Sequence, residues 1–514
     1  QTFVSATGSR QRIADDMPTY TYEVLWRSVV EVRPHDNSGK LGFSLRECWN
    51  FALGMLLLAF VSSGVARSQI DSVLAPQTHP EVHDARIQAI THVTVVNPGS
   101  GAEERRDMTI LYRDSTILTV ENSAEAHIPP GTAIHDERGR YVMPGLWDTH
   151  VHLLQVGPKA FPLFVANGIT SVRDMGSDLI EIRQWQEARS RGALIPRILT
   201  PGPKLDGMSD EESLHAEYRP DRYIVTSPET GRAIVDVLLS ARVDFIKVHN
   251  GMTPAIYDAI AKEAHAVGLP FDGHLPVAGP LAAAAAGQRT LEHGQRMMLC
   301  SESDWEKIRT EPPNRANDEE TWCATPEVQT KMFAAIIHAG EWLTPTLTVW
   351  RSGDMIGRPN VKVLADKLSG IATVWPELQQ WWDSEIVASP PFTDFQRSLL
   401  EKAPAMAAAA SHAGVKLLAG TDLGDPYVVP GYSLHDELEL MVGAGVPVLK
   451  VLQSATSEPA TAFGLSSKLG SVAPGQSADL VILDGDPLQD ISNTRRISAV
   501  VLNGAWILTN QNSN

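Results

Sequence analysis

Val142-Met143-Pro144-Gly145-Leu146-Trp147-Asp148-Thr149-His150-Val151-His152 is the stretch on which the reading of this chain turns. It is an apolar run that ends in two histidines spaced two apart. Side chains at that spacing on a strand share a face, so both imidazoles project together. Two parallel imidazoles suit one divalent metal such as zinc. A lone His-x-His is weak, but this one has company downstream. Lys247 stands in Phe245-Ile246-Lys247-Val248, His274 in Asp272-Gly273-His274, His293 in Leu291-Glu292-His293-Gly294 and Asp422 in Leu418-Ala419-Gly420-Thr421-Asp422. Each lies at or just beyond an apolar, strand-like run, the position from which barrel enzymes do chemistry.

Outward from these residues the chain divides by texture. Between residues 86 and 141, short β-rich runs such as Ala89-Ile90-Thr91-His92-Val93-Thr94-Val95-Val96 alternate with polar turns, and the texture returns over residues 478–483 and 497–502. In the middle, strands alternate with helical stretches such as residues 254–265, which implies βα units and a parallel sheet. The pattern predicts an α/β chain. A (β/α)8 TIM barrel over residues 144–458 is inserted into a small β-sandwich, whose parts are residues 69–143 and 459–514. One connection, over residues 295–328, is longer than such units need and carries Met297, Trp305, Pro312, Pro313 and Trp322. Long loops in compact domains are usually functional or mobile. This one follows the His293 strand and reads as a substrate lid.

The ordered ligand-type residues come with Pro144-Gly145-Leu146 ahead of the paired histidines. Near the end stands Gly470-Ser471-Val472-Ala473-Pro474-Gly475-Gln476-Ser477-Ala478-Asp479-Leu480-Val481. Together they resemble the amidohydrolase superfamily, and within it the imidazolonepropionase-like and prolidase-like (Xaa-Pro dipeptidase-like) binuclear metal-dependent hydrolases. The resemblance runs from about residue 86 to about residue 506 and implies the same barrel-in-sandwich architecture. Carried over, it implies that His150, His152 and Asp422 hold the more buried of two divalent ions, and His274 and His293 the more exposed. Zinc is the first expectation, though manganese, cobalt and iron suit the same donors. Lys247 would bridge both ions as a carbamate formed with carbon dioxide, which requires a neutral amine of the kind burial produces. The ions would lower the pKa of a shared water so that hydroxide attacks a carbonyl, with Asp422 as the catalytic general base and then acid. The implied reaction is cleavage of the amide bond of a dipeptide or N-acyl amino acid. Related pockets take aryl amides (toxin amides among them), carbamates and lactones.

Each assignment has a plainer competitor. Lys247 as an ordinary strand-ending lysine fits poorly between Ile246 and Val248, and Asp422 before Leu423-Gly424 has the alternative of capping a helix. His249, two beyond Lys247, shares its face; with Arg296 it is a candidate for binding a substrate carboxylate. Asp174 ends the next strand and reads as support for the ligands. His435 is either structural or pocket-lining, while His265, His338 and His412 read as plain helix residues. The rival enzyme is a mononuclear cyclic-amide hydrolase or deaminase, in which the bridging lysine is normally absent, so Lys247 argues against it. A silent binding protein on the same fold would have lost ligands, and all six are present.

The chain has 514 residues, 43 basic and 61 acidic, for a formal charge of -18. That length accommodates a large barrel with a satellite. Its acidity argues against nucleic acid and anionic membrane surfaces as partners. The expected partners are a small-molecule or short-peptide substrate and further copies of the chain in a homo-oligomer. Phe51-Ala52-Leu53-Gly54-Met55-Leu56-Leu57-Leu58-Ala59-Phe60-Val61 is too short for a comfortable bilayer span. With Lys40 and Arg46 before it and Ser62, Ser63, Gly64 and Ala66 after it, residues 46–68 read as a signal peptide cleaved after Ala66. The expected destination is periplasmic or secreted, and residues 1–45 read as an unstructured leader from a spurious upstream extension. Cys48 leaves with that signal. Cys300 and Cys323 remain, either as a disulfide stapling the lid or as two free thiols.

Overall fold

The computed structural model describes residues 87–101, 104–207, 219–276, 279–293, 326–349, 351, 375–388 and 394–508. The signal-peptide run, Arg296, Cys300, Cys323 and most of the expected lid lie outside the described residues; the end of that lid is the start of the helix Pro326–Ala339.

The β-rich ends of the chain join in one sheet. Ile87–Val96 pairs antiparallel with Glu104–Arg113, which pairs with Thr116–Asn122. Its other edge takes Ala133–Asp136 and then Tyr141–Pro144, both parallel. Tyr141–Pro144 pairs antiparallel with Leu480–Leu483, which leads through Ile497–Leu502 to Ala505–Leu508. The eight strands are hydrogen-bonded throughout. Alternation delivers Ile90, Val95, Ile110, Tyr112, Val142, Leu480, Ile482 and Val501 to one shared core. A register shift between Ile90 and Val93, with His92 at φ 59, bends the first strand between its two parallel partners.

Between these ends every strand pairing is parallel. Leu146–Val151, Ile169–Asp174 and Arg197–Leu199 form one sheet. The other runs, in spatial order, Arg222–Val225, Lys204–Gly207, Ile246–Val248, Phe271–His274, Thr290–Glu292, Trp342–Thr344 and Lys416–Leu417. Helices connect most of the consecutive strands, and several begin where the sequence signals them. Asp178, Ser227 and Thr253 accept backbone N–H bonds at the starts of Leu179–Ser190, Pro228–Ser240 and Pro254–Val267, the last two with proline in the first turn. The helix predicted over residues 254–265 is the last of these, and it closes on Gly268 in the left-handed conformation. The chain is thus an α/β fold with parallel sheets, as its texture predicts.

Backbone hydrogen bonds tie the first strand to the last. Thr149 N donates to Ala419 O (2.9 Å), Asp422 N to His150 O (2.8 Å) and His152 N to Leu423 O (2.7 Å). Gly420 makes this approach possible: a Cβ there would lie 2.9 Å from the His150 Cβ and 2.7 Å from the Thr344 Cγ2. The paired histidines and Asp422 are therefore neighbours because two strand ends far apart in sequence are hydrogen-bonded together. Among the described residues, no helix is long and apolar enough to cross a membrane.

Candidate metal centre

Strand alternation aims the site residues inward. His150 and Lys247 are wholly buried, His293 and Asp422 nearly so, and His152 and His274 partly. The ligand atoms of His150, His293 and Asp422 all lie within 4.8 Å of one another, so these three form a group able to hold a metal ion. Asp422 Oδ1 is 3.2 Å from His150 Nε2 and 3.3 Å from His152 Nε2, and Oδ2 is 3.7 Å from His293 Nε2. The rings form a chain: His150 stands 4.7 Å from His293, His293 4.8 Å from His274, and His274 4.2 Å from His249, centroid to centroid. Lys247 pairs with Asp272 across the strands, two residues before His274 and so on its face. Both His152 and His293 thus stand beside the His150–Asp422 pair, at 3.3 and 3.7 Å from the carboxylate.

The strand ends carry unusual backbone. His293, Thr346 and Asp422 adopt φ of 67, 49 and 58°. Left-handed conformations are disfavoured for side-chain-bearing residues, most of all for β-branched threonine, and persist where the surroundings enforce them. Here the enforcement is visible. Asp148 accepts from Thr421 N (3.0 Å) and Thr421 Oγ1 (2.7 Å), while Glu437 accepts from Leu347 N and Thr348 N. Thr348 Oγ1 then donates to Thr421 O (3.0 Å). Burial pushes Asp148 and Glu437 each up to about 7. Asp422 caps no helix.

Three of the four ligand-type imidazoles have a partner on the other nitrogen, which fixes how each is presented, whereas His152 Nδ1 is buried with none among the described residues. His150 Nδ1 meets Glu292 Oε2 at 2.8 Å, His293 Nδ1 meets Thr346 Oγ1 at 2.7 Å and His274 Nδ1 meets Asn250 Oδ1 at 2.9 Å. Burial works against an ionised Glu292, but the Arg173 guanidinium holds that carboxyl well below its usual range. Glu292 is then an acceptor, so His150 donates to it from Nδ1 and turns Nε2 toward the Asp422 Oδ1 acceptor. Two lone pairs at that distance repel unless a proton or a cation lies between them. His150 Nε2 is buried with no hydrogen-bond partner, and so is Lys247 Nζ.

The titration directions agree with this. Burial lowers His152 to about 4 and His293 to about 3, leaving neutral imidazoles of the kind that bind metals. Burial also pulls Lys247 down to about 8, against the charges of Glu292 and Asp422. Asp422 moves the other way: burial raises it, yet the facing His150 and His293, with His152 close by, hold it well below the carboxylate range. Lys247 is therefore no surface lysine.

Other predicted residues separate cleanly. Asp174 supports the loop behind the paired histidines, accepting from Leu153 N (3.1 Å), Ser177 Oγ (2.7 Å) and Thr200 Oγ1 (3.1 Å). His435 is structural, bridging Thr494 Oγ1 and the Asn167 carbonyl in the interior. His265, His338 and His412 are exposed on helices. His249 lies at the centre, its Nδ1 hydrogen-bonded to Asp206. Sequence reasoning missed Arg173, Glu292 and Asp148. Arg173 is fully buried and donates to Thr149 O (2.6 Å), Asp272 (3.1 Å), Thr290 (2.8 Å) and Glu292 (2.8 Å). The signal for all three was a charge interrupting a strand-like apolar run.

Residues 141–507 match the model of the amidohydrolase family, and the chain belongs to that family. An imidazolonepropionase from Nocardia farcinica (strain IFM 10152) is 39% identical over 56 residues, 11% of this chain and 14% of that protein. The chain thus matches about a seventh of that relative's length. A Xaa-Pro dipeptidase with methionine bound in its active site is similar in structure, with a TM-score of 0.61 at 21% identity over 82% of this chain and 100% of the other. Ochratoxinase from A. niger gives 0.59 at 18% identity over 82% and 95%. At such identities the likeness is one of fold.

Proposed function

We propose that this chain is a binuclear metal-dependent hydrolase that cleaves the amide bond of a dipeptide or N-acyl amino acid. The observation that carries the reading is His150 Nε2 opposed to Asp422 beside a fully buried, unpartnered Lys247 amine. The first arrangement calls for a proton or a cation between the two atoms, and the second for an amine able to lose its proton. His150, His152, His293, His274 and Asp422 would hold two divalent ions, zinc foremost. Lys247 would join them after its neutral amine adds to carbon dioxide and releases a proton, a step favoured by its lowered pKa. When bound, the ions supply Lewis acidity that acidifies water and polarises a carbonyl. Asp422 takes the proton of the attacking water on its carboxylate and returns it to the leaving nitrogen. Glu292 holds the His150 ring through Nδ1, and His249 would face the substrate's carboxylate; Arg296, the other candidate, lies outside the described residues.

The architecture we infer is a (β/α)8 barrel over residues 144–458 inserted into a sandwich made by residues 69–143 and 459–514. Supporting it are the common direction of the central strands and the hydrogen bonds between the first and last. A periplasmic or secreted location rests on the signal-peptide reading of residues 46–68.

Metal analysis tests the core of the proposal. About two divalent ions per chain are expected, with turnover abolished by chelation, and Lys247→Ala should lower both metal content and activity. A fully active, fully loaded Lys247→Ala enzyme would remove the bridging role. Equal rates on free acids and C-terminal amides would move the substrate toward aryl amides, carbamates or lactones.

A further inference from the structure

The strand Lys204–Gly207 places a second charged pair on the face that carries the site. It runs parallel to Ile246–Val248, with Leu205 opposite Val248. Residues opposite one another share a face and their neighbours take the other. Lys204 and Asp206 therefore project on the same side as Lys247 and His249, while Leu205 and Val248 pack in the core beneath. Lys204 and Asp206 are almost wholly buried. Two glycines bring the segments together: Gly207 N donates to Asn250 O, and a Cβ on Gly207 would lie 2.3 Å from Gly251 O.

The two members of the pair have different tasks. Asp206 Oδ1 accepts from His249 Nδ1 and from Asn250 N, while Oδ2, 3.1 Å from Arg222 Nη1, has no hydrogen-bond partner among the described residues. It fixes His249 so that Nε2 remains for a further partner beside His274. Among the described residues, the ion-pair partner of Lys204 is Asp221, 3.3 Å away, which is shared with Arg219 (3.3 Å) and Arg222 (3.6 Å). The Lys204 charge also acts on Asp206 and Asp425. An ammonium donates more than once.

We propose that Lys204 is a specificity-determining residue that binds the free carboxylate of the substrate, beside His249. The assignment rests on the substrate class proposed above and adds its receptor. A buried cation on the site face, anchored by a carboxylate it shares, is pre-organised for an anion and costs little ordering on binding.

The test takes whichever dipeptide or N-acyl amino acid the metal-loaded wild type hydrolyses fastest, presented as the free acid and as its C-terminal amide. The readout is the ratio of the two kcat/KM values. The wild type should favour the acid, and Lys204→Met should lower that preference about 10- to 100-fold, mainly through KM. Lys204→Arg, which keeps the charge, should retain most of it. If Lys204→Met does not fold, Lys204→Gln, which keeps a donor toward Asp221, carries the same expectation. A wild type that favours the acid and a Lys204→Met enzyme that favours it equally would overturn this assignment alone. A wild type indifferent to the carboxylate would overturn the substrate class and the receptor together.

Discussion

At the scale of single residues, the site depends on charges buried without their full complement of partners. Glu292 is the clearest case, because it ties the fully buried Arg173 to His150 and so decides which imidazole nitrogen faces Asp422. Glu292→Gln can donate from its amide to His150 Nδ1 and release the tautomer. Metal affinity should fall about 10- to 100-fold, read by competition with a chromophoric chelator; unchanged affinity would show that His150 is held by other means. A different buried acid, Glu341, finds no hydrogen-bond partner for either oxygen among the described residues. Burial pushes it up to about 8 from 4.5. Between those values the folded chain keeps a proton the unfolded chain has lost, so stability falls as pH rises and levels off above about 8. Glu341→Gln should abolish that slope, on the order of 1 kcal/mol per pH unit. Denaturation midpoints of both proteins across the range would measure it, and parallel curves would refute it.

At the scale of elements, legibility followed periodicity. The strands around His150, Lys247, His274 and His293 were legible because each is an apolar run ending in a polar residue of a type that binds metal. The helix Pro254–Val267 was legible because its cap, its proline and its closing glycine all lie in sequence. Lys204–Gly207 was not, since Lys-Leu-Asp-Gly reads as a turn and becomes a strand only by pairing with Ile246–Val248 and Arg222–Val225. The same holds for Lys416–Leu417, a strand of two residues that leads to Asp422. Arg173 and Asp148 were legible only as anomalies. A charge inside an apolar strand announces a buried partner, but the partner, here Asp272, Glu292 or Thr421, lies on another strand and leaves no trace in local spacing. Left-handed backbone at His293, Thr346 and Asp422 was hidden for the same reason, because tertiary hydrogen bonds and not local preference impose it.

At the scale of the whole molecule, the metal centre is also a structural joint. Asp422 comes from the last strand, His150 and His152 from the first, and His293 from between them, so any ion they share ties distant parts of the chain together. Without a cation, the anionic Asp422 and the imidazole lone pairs around it are held at close range by the fold alone. Metal binding is then folding free energy, because the unfolded chain offers no such preformed group. At an ion concentration a thousandfold above the dissociation constant, linkage gives about 4 kcal/mol for one site. Chelation should therefore lower the melting temperature by several degrees, and added zinc should restore it. The restoration should weaken only below about pH 4, because burial depresses His152 to about 4 and His293 to about 3 and protons compete for the imidazoles only there. His435→Gln serves as the contrast, since that residue bridges Thr494 and Asn167 away from the centre: it should lower the melting temperature while leaving the zinc-dependent increment intact. An apo protein that melts where the loaded one does would mean that the four residues are held in place without help, and that the ion, if one binds, contributes to chemistry but not to the fold.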